Sequence, residues 1–232
     1  MSLIFFLLQA LRPKDTGPIY TETNMENWIV EPFNAASAIL FVLVVGYWFW
    51  KLRGQYRHHL FLTFVLPVLL IGGIGGTLYH AFRNSEFFLV MDWLPIMLLT
   101  LAASMYFLVR VLGKWYYAFA TFVVVFLMQW LTYLFVPQRY AINVSYAITG
   151  LYVLIPVWMM MAKTQYRHSQ HVWWSLLSFG LALFFRSIDP MALLPMGTHF
   201  LWHVFGAGAC HGMLMYTYLI NLPEEVPASE AV

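Results

Sequence analysis

Apolar residues run along this chain in seven long blocks separated by short polar breaks, roughly 33–51, 60–82, 88–110, 115–136, 142–162, 172–187 and 198–220. A helix needs about 20 apolar residues to cross the hydrocarbon core of a bilayer, so each block predicts a transmembrane helix. The sixth is the shortest, closed by Arg186, Ser187, Asp189 and Pro190. Nothing is left over for a soluble domain. The pattern predicts an all-α integral membrane protein: one seven-transmembrane-helix bundle over 1–232, with an extramembrane or interfacial segment over 1–32 and a short tail over 221–232. Met1 to Leu11 is apolar but too short to span, follows no basic stretch and lacks a small-residue cleavage site. It reads as an interfacial or capping segment rather than a signal peptide.

Lysine and arginine set the expected orientation. The breaks after spans one, three and five hold Lys51, Arg53, Arg57, Arg110, Lys114, Lys163 and Arg167, whereas the other side holds Arg12, Lys14, Arg83, Arg139 and Arg186. Seven against five predicts the N-terminus outside and the C-terminus cytoplasmic. Trp48, Trp50, Trp115, Trp173 and Trp174 fall at the cytoplasmic ends, where an aromatic belt sits. Composition agrees, with 62% hydrophobic and 9% charged residues, against about 25% charged in a soluble domain. A net charge of +2 leaves no basic footprint, so nucleic acid is not an expected partner. The lone Cys210 excludes an internal disulfide framework.

In such a chain, ionisable groups at membrane depth are costly and point to function. The candidates are His80, Asp92, His199, His203 and His211. Span two runs outward and ends near His80, span three returns with Asp92 in its first turns, and span seven returns with His199 and His203 in its first two turns. Alternation of direction therefore predicts these four at one depth, in the outer half. His199 and His203 share one helical face, the spacing by which a helix offers two ligands to a zinc ion. With His80 they make a three-histidine set that leaves a coordination position open, as a catalytic zinc requires. Asp92 then suits a general base or an orienting acceptor. His211 lies two turns deeper and reads as a packed polar residue, while His58, His59, His168 and His171 read as solvated loop residues. Span seven has no lysine for a retinal Schiff base. Ahead of span one, Tyr20, Glu22, Asn24, Glu26, Asn27, Glu31 and Asn34 form a polar cluster, either a hard-cation site or a solvated loop.

Four segments resemble the alkaline ceramidase family. They are Tyr20 to Ser37, with Y-T-E-T-N and W-I-V-E-P-F-N-A-A-S; Gly73 to His80, G-I-G-G-T-L-Y-H; Met91 to Pro95, M-D-W-L-P; and His199 to His203, H-F-L-W-H. The wider group is the CREST superfamily, which also holds the adiponectin and progestin receptors. The compact loops look more like those of bacterial ceramidase-domain proteins than of the eukaryotic enzymes, which implies a bacterial inner membrane. The resemblance implies a seven-helix amidase that cleaves the N-acyl bond of ceramide. His80, His199 and His203 match its zinc ligands, and Asp92 matches the aspartate beside its water. Glu22, Asn24 and Glu31 match calcium ligands.

Two positions depart from the pattern. The family's serine four residues before the histidine is Gly76 here, with Thr77 the adjacent hydroxyl that stands in as a catalytic candidate; the leading calcium aspartate is Ile19, with Asp15 the nearest carboxylate. The expected function is a Zn²⁺-dependent lipid amidase, with Ca²⁺ as a second candidate ion. Its partners are the bilayer and a ceramide or other N-acyl lipid entering sideways from the outer leaflet. Trp93, Trp202 and Tyr79 are expected either to line the acyl-chain pocket or to pack the bundle. A receptor-like or lipid-binding protein with a structural zinc and a proton-coupled transporter are the alternatives.

Overall fold

Each apolar block is a helix in the computed structural model, with ends within four residues of those expected. It describes residues 13–222, apart from the side chains of residues 138, 139, 142, 143 and 146. The segment Met1 to Leu11 and the tail beyond 222 lie outside the described residues. Helix α1 spans Pro32–Lys51, α2 Leu60–Phe82, α3 Glu86–Leu112, α4 Trp115–Phe135, α5 Gln138–Lys163, α6 Ser169–Ile188 and α7 His199–Leu219. Among the described residues there is no strand.

Local chemistry explains the boundaries. Pro32 opens α1, where a missing N–H costs nothing. Arg83 closes α2 in the left-handed region, φ 48°, and its N–H bonds the Tyr79 carbonyl. Gly113 takes φ 79°, which a side chain would resist, at the turn into α4. Helix α6 tightens into a 3-10 turn over Asp189–Met191.

The structure is that of an all-α chain with helices α1, α2, α3, α4 and α6 long and apolar enough to cross a membrane. Helix α7 falls short of that mark for a visible reason. Helix α7 carries His199, His203 and His211 together with Gly206, Gly208 and Gly212. The residues that make it interesting are those that make it less greasy.

The described helices gather into two compact units, one of the residues up to Pro95 with those from His168 onward and the other Ile96–Arg167. The division falls at Pro95, inside α3, where a proline removes a helical hydrogen bond. In the first unit α1 packs on α2 and α7, and α7 on α6. Small residues let the backbones close up, as membrane helices require. A β-carbon at Gly75 would stand 2.7 Å from the Met91 carbonyl oxygen, so α2 and the start of α3 touch through main chain. The second unit buries Leu108, Ala118 and Tyr152 among Leu101, Met105 and Phe122. Gln129 crosses from α4 to α5 there, donating to Thr149 Oγ1 at 2.8 Å and the Ser145 carbonyl at 3.1 Å.

Two expectations are corrected. Trp48 is no interfacial anchor; it is fully buried, between His211 and Tyr218. His59 is no solvated loop residue; it is buried at the start of α2 with its ring 4.7 Å from that of Tyr218. Both lie where α1, α2 and α7 meet, and a continuous apolar sequence gives no sign of which face turns inward.

Candidate metal centre

The segment ahead of α1 builds the site by tying helix ends together. The last carbonyls of a helix lack partners within it. Here the Val30 N–H bonds the Ala81 carbonyl at 2.9 Å, Glu31 N–H that of His80 at 3.1 Å and Lys14 N–H that of Arg83 at 3.0 Å. Glu22 does the converse for α1, accepting the free N–H groups of Phe33 at 2.5 Å and Asn34 at 2.9 Å. Burial raises the Glu22 carboxyl above the usual range, against the lowering by those two N–H groups. Asp189 caps α7, accepting from Thr198 N–H at 2.7 Å and His199 N–H at 2.9 Å, and takes the Thr21 N–H at 3.0 Å as well. Its neighbour Gly197, φ 69°, leaves room for that carboxylate. The ends of α1, α2 and α7 are thus fixed relative to one another by one strap of chain.

Within this frame His80, His199 and His203 come together, all buried, with one ring nitrogen or more of each inside a common 4.8 Å. Their surroundings sort the tautomers. His80 Nδ1 lies 2.5 Å from Glu31 Oε2, so Nδ1–H donates to the carboxylate. His80 Nε2 is then left buried and without a partner. Ser37 gives its own proton to the Asn34 carbonyl at 3.0 Å, so its oxygen accepts from His203 Nδ1–H at 2.8 Å. That leaves His203 Nε2 as the acceptor nitrogen. His199 Nδ1 is buried and unpartnered too. Unpaired buried ring nitrogens are expensive unless something binds them. A carboxylate–histidine pair is also the usual outer support of a metal-bound imidazole. The trio fits a metal ion.

Glu31 is the hub behind it. The carboxylate accepts from His80, from Thr23 Oγ1 at 2.6 Å, from Arg83 at 2.5 Å and from Asn34 Nδ2 at 3.3 Å. Burial pushes its carboxyl up, but His80, Thr23 and Arg83 outweigh that and hold it below the ordinary range. Arg83, fully buried, also forks onto Asp15 through two bonds of 2.8 and 3.0 Å. Burial lowers the Arg83 guanidinium, yet the Asp15 and Glu31 carboxylates and Tyr79 raise it overall.

Asp92 reaches the centre from α3. Its Oδ1 would stand 2.6 Å from a β-carbon at Gly76, one turn before His80 on α2. Gly76 therefore makes the room that the Asp92 carboxylate occupies. Asp92 is partly exposed, and no described residue donates a hydrogen bond to it. Thr77 spends its proton on the Gly73 carbonyl at 2.8 Å, so toward any ligand it offers only lone pairs. Tyr20 roofs the trio, its ring stacked on His199 at 3.8 Å and 22° and tilted on His80 at 5.4 Å. Burial raises the Tyr20 phenol well above its usual range.

Of the residues singled out in the sequence, the structure gathers His80, His199 and His203, with Asp92 alongside and Glu31 behind. It gives the three candidate calcium ligands separate employment. Glu22 caps α1, Glu31 holds His80 and Arg83, and Asn24 Oδ1 accepts the Glu26 N–H at 3.0 Å in a local turn. From the sequence alone Ser37, Arg83 and Asp189 have no role at the site, and Tyr20 figures only in the polar cluster ahead of span one. Ser37 and Tyr20 bound the motif quoted above and were legible as part of it; Arg83 and Asp189 act through contacts distant in sequence. Compared with known protein families and with curated proteins, the chain matches none.

Proposed function

We propose that this chain is a zinc-dependent membrane hydrolase that cleaves the N-acyl bond of ceramide or a related lipid. The observation that carries the reading is the buried histidine trio with its unpartnered ring nitrogens, braced by Glu31 and Ser37 and flanked by Asp92. Three neutral nitrogen donors suit zinc among the biological divalent ions. The resemblance of the four motifs supports the amidase chemistry and the lipid substrate. Seven spans, an outer N-terminus and a bacterial inner membrane belong to the same reading, supported by the alternation of helices and the lysine and arginine bias.

The chain's own residues supply positioning and a proton acceptor. When bound, zinc supplies a water that ionises near neutrality and polarises a carbonyl. Glu31 and Ser37 hold His80 and His203 with the correct nitrogens turned inward. The Asp92 carboxylate keeps its lone pairs free and takes the proton of the attacking water as general base. With glycine at position 76, no hydroxyl competes for Asp92. Trp93, 47% exposed and next to Asp92 on α3, offers an apolar face along which an acyl chain lies.

Purified protein is expected to contain about one zinc per chain, and the His199→Ala/His203→Ala double variant none; metal analysis decides this. Asp92→Asn keeps the zinc and loses turnover by about 10²–10⁴-fold, measured as fatty-acid release from a panel of N-acyl and ester lipids by mass spectrometry. Zinc present with no turnover on any of them replaces the hydrolase by a receptor-like protein with a structural zinc.

A further inference from the structure

Arg186 stands in the last turn of α6, after Leu183, Phe184 and Phe185, where an unpaired charge in an apolar setting is costly. The other arginine near this site, Arg83, is satisfied by two carboxylates. Arg186 is exposed and forms no ion pair or hydrogen bond among the described residues. Its guanidinium instead lies over the ring of Trp202, 5.0 Å from the centroid. A cation–π contact takes up none of the guanidinium N–H groups in a conventional hydrogen bond, so they stay available to a ligand. Trp202 immediately precedes His203 on α7, so the contact holds the cation beside the helix that carries two of the three histidines. One turn further on, Asp189 bonds the His199 N–H and fixes this end of α6 to the first turn of α7.

We propose that the lipid taken by this centre carries an acidic group, a carboxylate or a phosphate, and that Arg186 binds it. This rests on the hydrolase reading for the position of the scissile acyl group, and it narrows the substrate class from N-acyl lipids to acidic ones. The planar fork of an arginine matches two oxygens of either oxyanion. A fixed cation beside a site also raises the local concentration of anionic ligands. The same chemistry is offered by the phosphates of the surrounding phospholipids, which arginines at span ends often meet.

The test uses N-lauroylglycine and N-lauroylethanolamine, which share chain and amide and differ in the carboxylate. The full-length protein in non-ionic detergent is titrated with each by intrinsic tryptophan fluorescence, and laurate release is followed by mass spectrometry. Wild type is expected to bind the acidic lipid about tenfold more tightly or better, as one charge-assisted contact allows. Arg186→Gln brings the two within about twofold with zinc content unchanged, and Arg186→Lys keeps part of the preference. Equal binding of both lipids by the wild type overturns the proposal whatever the variants do, as does a preference that survives in Arg186→Gln. Added phosphatidylglycerol that erases the preference assigns Arg186 to bulk lipid and overturns it too. Preferential binding without release of laurate from either lipid leaves Arg186 as the acidic-group contact and rejects the hydrolase.

Discussion

Glu31 shows how much a single side chain decides. One carboxylate orients His80, neutralises a fully buried arginine and accepts the Thr23 hydroxyl. Its isosteric amide cannot serve all three, because half of its acceptor capacity becomes a donor. Glu31→Gln is therefore expected to weaken metal binding by about 10–100-fold, read by competition with a chromogenic chelator. An unchanged affinity would mean that His80 needs no orienting partner. Such a role was only partly legible. The sequence reading attached Glu31 to a hard-cation site, since its nearest polar neighbours in sequence are oxygen-bearing. The structure joins it to His80 and Arg83, 49 and 52 positions away.

Helix ends carry the next level of organisation. The start of α7 was readable from its paired histidines, but its cap was not. Capping motifs are recognised within three or four residues, whereas Asp189 reaches Thr198 across nine positions and an intervening loop. Asp189→Ala removes the acceptor for two N–H groups at the start of the helix that presents two proposed ligands, and the partner of the Thr21 N–H, while the Thr21 hydroxyl keeps the Asp189 carbonyl. A loss of about 1–2 kcal/mol in stability is expected, with a lower melting temperature in detergent. Asp189→Asn, which keeps one carbonyl oxygen, falls between the two. Should alanine leave the melting temperature unchanged, the cap contributes nothing. Thr77 illustrates the opposite lesson at this scale. Adjacent in sequence to the position of the missing serine, it turns its hydroxyl along its own helix. A shift of one residue rotates a side chain by about 100°.

For the molecule as a whole, seven apolar blocks are seven helices among the described residues; alternation of their directions predicts His80, His199 and His203 at one level, and the structure gathers the three there. Period and direction are long-range order that a sequence does carry. The inward faces of the helices are not legible in the sequence, which is why Trp48 reads there as an anchor and His59 as a loop residue although both are buried. Nor is the division at Pro95, since a proline within a membrane helix bends or is tolerated according to its neighbours.

The Tyr20 ring lies flat against His199, and this has a kinetic side. An ion held by the trio would be screened on that flank by an aromatic plate fastened through Thr21 and Thr23. Its residence time, rather than its affinity, is what such a plate sets. Tyr20→Ala is expected to speed stripping of the metal by a chelator several-fold while leaving the loaded stoichiometry near one. Tyr20→Phe, which keeps the plate, exchanges at the wild-type rate. Equal half-lives for the alanine variant and wild type would show that metal leaves by another path. A long residence time makes the centre indifferent to brief shortages of free metal, so occupancy reflects the conditions under which the chain was loaded.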